Sequence, residues 1–195
     1  MIGEITLIRK NMNTQKQNNQ NAVLSIDKLK VLAEQGIPYA QNNLANAYYH
    51  GRGAKVDYKK AVMWYTKAAE QGLAIAQYNL GACYHRGNGV KQDYLRAMEW
   101  YLKAAEQENP MAQNSIGFCY SEGNGVEQDY SKAVEWYSKA AKQDFVEAQF
   151  NLGKCYEYGY GVNADLKKAV EWYTKAAEQG DADAQECINR LNDCI

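Results

Sequence analysis

Small and apolar side chains recur along this chain every three or four residues. In one stretch they place four residues on a single face of a helix: Ala76, Leu80, Cys83 and Tyr84. A second stripe with the same spacing follows it: Tyr94, Ala97, Met98, Tyr101, Ala104 and Ala105. Gly87 and Gly89 lie between the two stripes. The pattern therefore predicts two helices joined by a short glycine-containing loop.

This two-helix pattern repeats at a constant interval of 36 residues. Five alanines, each 36 residues after the last, open the copies: Ala40, Ala76, Ala112, Ala148 and Ala184. Repetition at this period is typical of stacked helix pairs, in which each pair buries its apolar face against the next. We therefore expect an all-α fold without a single central core.

The ends of the predicted second helices carry recurring signals. Each helix follows an aspartate that can accept hydrogen bonds from its free amides: Asp57, Asp93, Asp129 and Asp165. Gly72 and Gly180 are predicted left-handed caps, and the other copies have Glu108-Asn109 and Asp144 there. Three glutamates stand four residues before a lysine, which predicts surface ion pairs: Glu99–Lys103, Glu135–Lys139 and Glu171–Lys175.

The charge of the chain is nearly balanced, at −1 overall, which argues against a nucleic-acid partner. The charge is unevenly distributed, with net values of +3, 0, −3 and −2 for residues 40–75, 76–111, 112–147 and 148–183. Such a gradient is either ordinary variation among surface charges or a feature that orients a partner and allows weak head-to-tail self-association. No run of 18 apolar residues is present, so no membrane span is predicted.

The cysteine pattern favours buried, reduced thiols over a disulfide or a metal site. Cys83, Cys119 and Cys155 occupy one repeat position, on helices expected ~8–10 Å apart, whereas a disulfide needs Cα atoms ~4.4–6.8 Å apart. Cys187 and Cys194 lie about two helical turns apart. Reduced thiols indicate a reducing compartment, so a cytoplasmic location is predicted. The alternative is an exported protein whose leader is missing from this sequence.

No catalytic, metal or cofactor site is predicted. The Gly-x-Gly loops, such as Gly87-Asn88-Gly89, follow a helix C-terminus, where carbonyl ends repel anions, so they indicate turns rather than phosphate loops. His50 and His85 stand at adjacent repeat positions of neighbouring copies, and neither is paired in sequence with a nucleophile on the same face. A hydrolytic enzyme is the least favoured class.

The residue order within each copy resembles a known repeat. Ala, Leu-Gly, Tyr, Gly-x-Gly-Val, Asp-Tyr, Lys-Ala, Trp-Tyr and Lys-Ala-Ala recur every 36 residues, as in the Sel-one-like repeat, a relative of the tetratricopeptide repeat. The resemblance covers four units: residues 40–75, 76–111, 112–147 and 148–183. It implies a right-handed α/α superhelical solenoid of antiparallel helix pairs, whose first helices line a concave face. It also implies a protein-binding adaptor or scaffold rather than an enzyme.

The segments outside these four units differ in character. Residues 22–39 align with a second helix and are predicted to form an N-terminal capping helix. Residues 184–195 resemble the first helix of a further unit and are predicted to form a C-terminal capping helix. Residues 1–21 are rich in amides and are predicted to be a disordered or linker segment.

Positions that vary between units while facing away from the apolar stripe are candidates for binding. On the expected concave face they are Asn43, Asn46, Tyr78, Asn79, Arg86, Ser115, Phe118, Glu122, Phe150, Asn151, Lys154 and Tyr158. One row of them could hold the backbone of an extended peptide, since amides both donate and accept: Asn43, Asn79, Ser115 and Asn151. The alternative is that these amides bond adjacent helices. We expect a protein or peptide partner, and a self-associating structural role is the alternative function.

Overall fold

The computed structural model describes residues 25–192, which form ten α-helices and no β-strand. Helix α1 (Ile26–Glu34) comes first and α10 (Ala182–Asn192) comes last. Between them lie four pairs: α2 (Pro38–His50) and α3 (Tyr58–Glu70), α4 (Ala74–Arg86) and α5 (Tyr94–Ala105), α6 (Pro110–Glu122) and α7 (Tyr130–Ala141), α8 (Val146–Tyr158) and α9 (Leu166–Glu178). The predicted segment 1–21 and the last three residues of the predicted C-terminal helix lie outside the described residues.

Each helix packs mainly against the helices that precede and follow it in sequence. The buried apolar side chains accordingly form four successive clusters along the stack rather than one centre. This arrangement is an all-α solenoid, so the predicted fold class is confirmed. None of the helices between residues 25 and 192 is both long enough and apolar enough to cross a membrane.

The second helix of every unit begins at its predicted aspartate cap. Each aspartate Oδ1 accepts a hydrogen bond from the backbone N–H three residues later, at 3.0 or 3.1 Å: Asp57, Asp93, Asp129 and Asp165. These backbone bonds lower the pKa of three of the carboxyl groups: Asp57, Asp129 and Asp165. The first helices begin two residues earlier than the predicted units, at residues 38, 74, 110 and 146.

The left-handed caps lie as predicted, with one correction. Gly72 and Gly180 have φ angles of 84° and 95°, and Asp144 has a φ of 59°. In the second unit it is Glu108, with a φ of 59°, that adopts the left-handed conformation. Asn109 instead caps the next helix, because its Oδ1 accepts the backbone N–H of Ala112 at 3.0 Å.

The predicted glutamate–lysine pairs are wrong. Within residues 25–192 no ion pair joins Glu99 to Lys103, and the two equivalent pairs are also absent. The ammonium groups of these three lysines, and that of Lys67 in the first unit, instead lie 3.8–4.4 Å from the ring centre of the tryptophan three residues earlier: Trp64, Trp100, Trp136 and Trp172. A cation over an indole ring contributes ~0.5–1 kcal/mol, which exceeds the ~0.2–0.5 kcal/mol of an exposed helical ion pair.

Close helix contacts depend on small residues, as predicted. A Cβ added at Gly81, Gly117 or Gly153 would lie 2.7–2.8 Å from a tyrosine ring of the following helix. Those rings are buried and belong to Tyr101, Tyr137 and Tyr173. Glycine at these positions therefore permits each aromatic side chain to lie directly against the backbone of its partner helix.

The loops between paired helices reach back to the preceding unit. In the second to fourth units the last glycine of Gly-x-Gly packs against the backbone at the start of the previous unit's second helix: Gly89 on Tyr58, Gly125 on Tyr94 and Gly161 on Tyr130. A Cβ on Gly125 would lie 2.7 Å from the Tyr94 carbonyl oxygen. At Gly53, in the first unit, the nearest atom would be Ile26 Cβ, at an ordinary 3.7 Å.

A ladder of buried glutamines crosses the stack. Four side-chain carbonyls each accept from a glutamine Nε2 thirty residues later, at 2.7–2.9 Å: Gln41, Gln77, Gln113 and Gln149. Gln77 also donates its Nε2 to the Ala69 carbonyl at 3.2 Å. Each such side chain links its own helix to its neighbours, because a buried amide needs partners for both its donor and its acceptor.

We expect Gly125→Ala to destabilise the fold more than Gly53→Ala. Both glycines have φ angles near 75°, at 76° and 73°, so both variants incur the left-handed cost of ~1–2 kcal/mol. Only Gly125→Ala adds the clash with the Tyr94 backbone, which we expect to cost a further ~1–3 kcal/mol. Urea unfolding of both variants measures the difference. Equal losses would show that the loop-to-backbone contact does not stabilise the stack.

We expect Gln77→Leu to lower the free energy of unfolding by ~1–3 kcal/mol, since the Ala69 carbonyl and the Gln107 amide would lose their partner. The matched control is Gln185→Leu, which changes the same repeat position where the side chain is exposed on α10. That variant should alter the unfolding free energy by less than ~0.5 kcal/mol. Denaturant unfolding followed by circular dichroism measures both. Equal effects would contradict a role for the ladder in stability.

Candidate partner-binding surface

All twelve predicted binding residues lie on the first helices of the four units. These helices, α2, α4, α6 and α8, form a continuous row, here called the first-helix surface. Contacts between equivalent units join the row: Arg86 on α4 donates to Tyr49 on α2 at 3.4 Å, and the rings of His85 on α4 and Phe118 on α6 lie 6.0 Å apart. Side chains from different units can therefore act together on this surface.

The row of amides is partly used within the stack. Asn79 Nδ2 donates to Asn42 Oδ1 at 3.0 Å, and Asn151 Nδ2 donates to Asn114 Oδ1 at 3.0 Å. The alternative considered from the sequence, that these amides bond adjacent helices, thus describes two members of the row. The side chains of Asn79 and Asn151 are only half-buried, and within residues 25–192 the Oδ1 atoms of these two residues accept no hydrogen bond.

Several other predicted residues also have partners within their own unit. Asn46 Oδ1 accepts a hydrogen bond from Tyr65 Oη at 2.5 Å. The Lys154 ammonium lies 5.9 Å from the ring centre of Phe150, and that ring packs 5.5 Å from the ring of Tyr173. These side chains help to join the two helices of a unit while leaving one side of the surface exposed.

A cavity of about 300 Å³ opens on the first-helix surface. Four of the predicted residues line it, from α4 and α6: Tyr78, Arg86, Ser115 and Phe118. The structure therefore brings one third of the predicted set together, and the other eight residues lie elsewhere on the surface. Phe118 is 42% exposed, which is unusual for a large apolar ring inside a repeat stack.

The cavity includes residues that the sequence did not suggest. Phe145 and Glu147 reach it from the start of α8, so three successive units contribute to its walls. Phe145 occupies a helix-cap position, which the sequence identifies only as a turn. The one feature of the sequence that distinguishes Phe145 is its large aromatic side chain, since the equivalent positions hold Leu73, Asn109 and Asp181.

Arg86 supplies a cation at the cavity. Its hydrogen bond to Tyr49 Oη raises the pKa of the guanidinium. No carboxylate in residues 25–192 forms an ion pair with it. Asn88 Nδ2 donates to the same Tyr49 oxygen at 2.7 Å and so holds this hydroxyl in place. The guanidinium is thus oriented by a neutral hydroxyl and keeps its positive charge, in a cavity whose wall also includes Glu147.

His85 adds a neutral polar wall. Its ring packs 5.1 Å from Tyr94, and its Nε2 is fully shielded without a hydrogen-bond partner. Burial, and secondarily the nearby Arg86 charge, lower the pKa of this imidazole below its usual value of 6.5. The neutral form is therefore favoured at neutral pH. The cavity can bind an apolar group against Tyr78 and Phe118 and a polar group near Arg86.

The cysteines offer no reactive thiolate to this surface. Cys83, Cys119 and Cys155 are buried and free, which confirms their predicted burial. Burial raises the pKa of Cys83 to about 12 and those of Cys119 and Cys155 to about 11. Among the described residues no group of histidine, cysteine, aspartate and glutamate could hold a metal ion.

The family of the chain follows from its repeats. Residues 38–73, 74–109, 110–145 and 146–181 each match the Sel1 repeat. This chain belongs to the Sel1 repeat family. Sel1 repeat proteins are typically helical scaffolds that bind protein partners, and they are generally not catalysts. Among functionally curated proteins, none matches this chain.

Solved structures agree with this assignment. A protective antigen of uropathogenic Escherichia coli with an SLR fold is 38% identical with a TM-score of 0.78, over 85% of this chain and 36% of the antigen. A Sel1 repeat protein from Oxalobacter formigenes is 34% identical with a TM-score of 0.76, over 85% of this chain and 74% of that protein. Cysteine-rich protein B of Helicobacter pylori is 29% identical with a TM-score of 0.54, over 70% and 98% of the two chains. The chain thus spans about a third of the E. coli antigen.

We expect the stability of the protein to fall as the pH is lowered through the range below 6.5, in part because of His85. The unfolded state binds the proton at its ordinary pKa, whereas the folded state resists protonation, so acid favours unfolding. His85→Asn should reduce this pH dependence, and His50→Asn, at the exposed end of α2, is the control for the substitution itself. Urea unfolding at about pH 7.5 and about pH 5.5 measures it. An identical pH dependence in wild type and His85→Asn would contradict this account.

Proposed function

We propose that this Sel1 repeat protein is an adaptor that binds a peptide or protein segment on the first-helix surface. The observation that carries the proposal is the cavity walled by three successive units. It combines exposed aromatic groups, such as Phe118, with Arg86, a cation that has no carboxylate partner in residues 25–192. Aromatic and arginine side chains dominate the binding energy of known protein interfaces.

The arrangement of the surface suits an extended segment. The cavity can take one side chain, and the half-buried Asn79 and Asn151 keep a carbonyl oxygen for a peptide N–H on either side of it. Because consecutive units present equivalent positions, a segment lying across the row would meet similar backbone contacts and different side-chain contacts in each unit. On such a surface the shared backbone contacts supply affinity, and the side-chain contacts that differ between units supply specificity.

We expect Phe118→Ala and Arg86→Gln each to weaken binding by ~1–2 kcal/mol, about five- to thirtyfold. The ligands are peptides selected from a displayed random library against the wild-type protein, and titration calorimetry measures their affinity. The matched controls lie on second helices: Leu102→Ala, at an apolar side chain 39% exposed, and Arg96→Gln, at an exposed arginine. Both controls should leave the affinity unchanged.

The outcome of this experiment can refute the placement of the site. Selected peptides that bind Phe118→Ala and Arg86→Gln as tightly as wild type would exclude the cavity. Peptides that lose affinity for Leu102→Ala or Arg96→Gln would place the site on the second helices. Circular dichroism of each variant ensures that a loss of affinity does not reflect unfolding.

A further inference from the structure

Three exposed tyrosines form a contact cluster near the end of the stack. Tyr158, Tyr160 and Tyr130 are 52%, 43% and 38% exposed, and we call them the tyrosine patch. The rings of Tyr130 and Tyr160 stack at 5.2 Å with an interplanar angle of 19°, and those of Tyr158 and Tyr160 lie 5.6 Å apart. Three large rings in mutual contact at the surface form an apolar patch of the kind that marks interaction sites.

The patch departs from the repeat. Where the fourth unit has Tyr160, the other units have Arg52, Asn88 and Asn124, and where it has Tyr158 they have His50, Arg86 and Glu122. These residues are therefore not needed to build a unit. The loop that carries Tyr160 is held in place, since Gly161 packs on the Tyr130 backbone and its carbonyl accepts from Ser131 Oγ at 3.3 Å.

Several buried or half-buried aromatic rings elsewhere in the chain are covered by cations of the chain itself, whereas within residues 25–192 the exposed rings of Tyr39, Tyr58 and Phe118 are not. Four tyrosines have a lysine or arginine 5.3–5.6 Å from the ring centre: Tyr48, Tyr84, Tyr120 and Tyr156. The four tryptophans have one as well. Across residues 25–192, however, no cation lies over a ring of the tyrosine patch. The ring faces that are not used in the Tyr130–Tyr160 stack can accept a cation from outside.

The charges around the patch favour such a cation. Residues 112–183 carry a net charge of −5. Glu122 and Glu127 are exposed and form no ion pair with any residue in 25–192. Two cations of the chain lie near Tyr158 and are already engaged: Arg190 pairs with Glu157 at 2.6 Å, and Lys154, one helical turn earlier on α8, lies 5.9 Å from the ring centre of Phe150. An acidic surround and open aromatic faces together attract lysine and arginine side chains.

We propose that the tyrosine patch binds lysine or arginine side chains of a basic segment in the protein partner. Because Tyr158 lies on the first-helix surface, this inference rests on the proposed function and specifies the charge of the partner. The rest of the segment then runs from the patch along α8 towards α6. A basic segment is favoured over an acidic one, since both units beneath it are negatively charged.

A labelled peptide of alternating arginine and glycine serves as the probe, and fluorescence anisotropy at low salt measures its binding. The same peptide with glutamine in place of arginine is the probe control. Tyr160→Asn introduces the residue that two sibling units carry and should weaken binding about three- to tenfold. Tyr160→Phe keeps the ring and should retain the affinity. Tyr58→Leu changes an exposed tyrosine of the first unit to the residue of the fourth and should also retain it.

Several results would overturn the inference. They are failure of the arginine peptide to bind wild type, equal binding of the glutamine peptide, and unchanged affinity in Tyr160→Asn. If Tyr160→Asn is less folded by circular dichroism, Tyr158→His, which introduces the residue of the first unit, replaces it in the same comparison. Self-association of the protein alone that Tyr160→Asn abolishes would assign the patch to a second copy, and would also overturn the inference.

The experiments can reject the cavity and the tyrosine patch independently of each other. Library peptides that depend on Phe118 and Arg86 but are unaffected by Tyr160→Asn would support the adaptor and reject the patch. Arginine peptides that depend on Tyr160 but are unaffected by Phe118→Ala would leave the patch as a basic-segment site and reject the cavity. Binding that depends on both would support a single segment contacting both sites.

Discussion

The structure depends on one close contact, between a buried tyrosine ring and the backbone of the helix before it. In three units the ring of Tyr101, Tyr137 or Tyr173 lies where a Cβ would stand if its glycine partner carried a side chain. This contact sets the distance between the helices of a pair. The Gly-x-Gly loops then set the distance between pairs, because their last glycine lies against the preceding unit. Both distances together bring side chains on the first helices of neighbouring units within hydrogen-bonding range.

Besides forming ion pairs, the lysine and arginine side chains of this chain pack over aromatic rings. Lysines of the second helices lie over tryptophan rings, and the basic residues near the helix starts lie over tyrosines while they pair with the capping aspartates. The chain thereby uses its own charges to cover aromatic rings that are buried or half-buried. Tyr130, Tyr158 and Tyr160 are distinctive because three exposed rings contact one another, although as individual exposed tyrosines they would be ordinary.

Binding and stability use different residues within the same units. The glutamine ladder recurs in all four units, and asparagine pairs join α2 to α4 and α6 to α8. The cavity and the tyrosine patch are formed by residues that differ from unit to unit, including Arg86, Phe118 and Tyr160. Since each unit contacts mainly its neighbours, such local changes can alter the surface without disturbing distant units.

The sequence by itself determined the all-α repeat, the aspartate caps, the left-handed cap at Gly72 and the buried cysteines, because period and capping depend on residues close in the chain. Only the tertiary structure decided that Lys103 covers Trp100 instead of pairing with Glu99. It also placed Phe145 and Glu147 in a cavity with Tyr78. These outcomes depend on distances between helices or on competition between partners for one side chain. The spacing of residues along a single helix encodes neither the distances between helices nor the outcome of that competition.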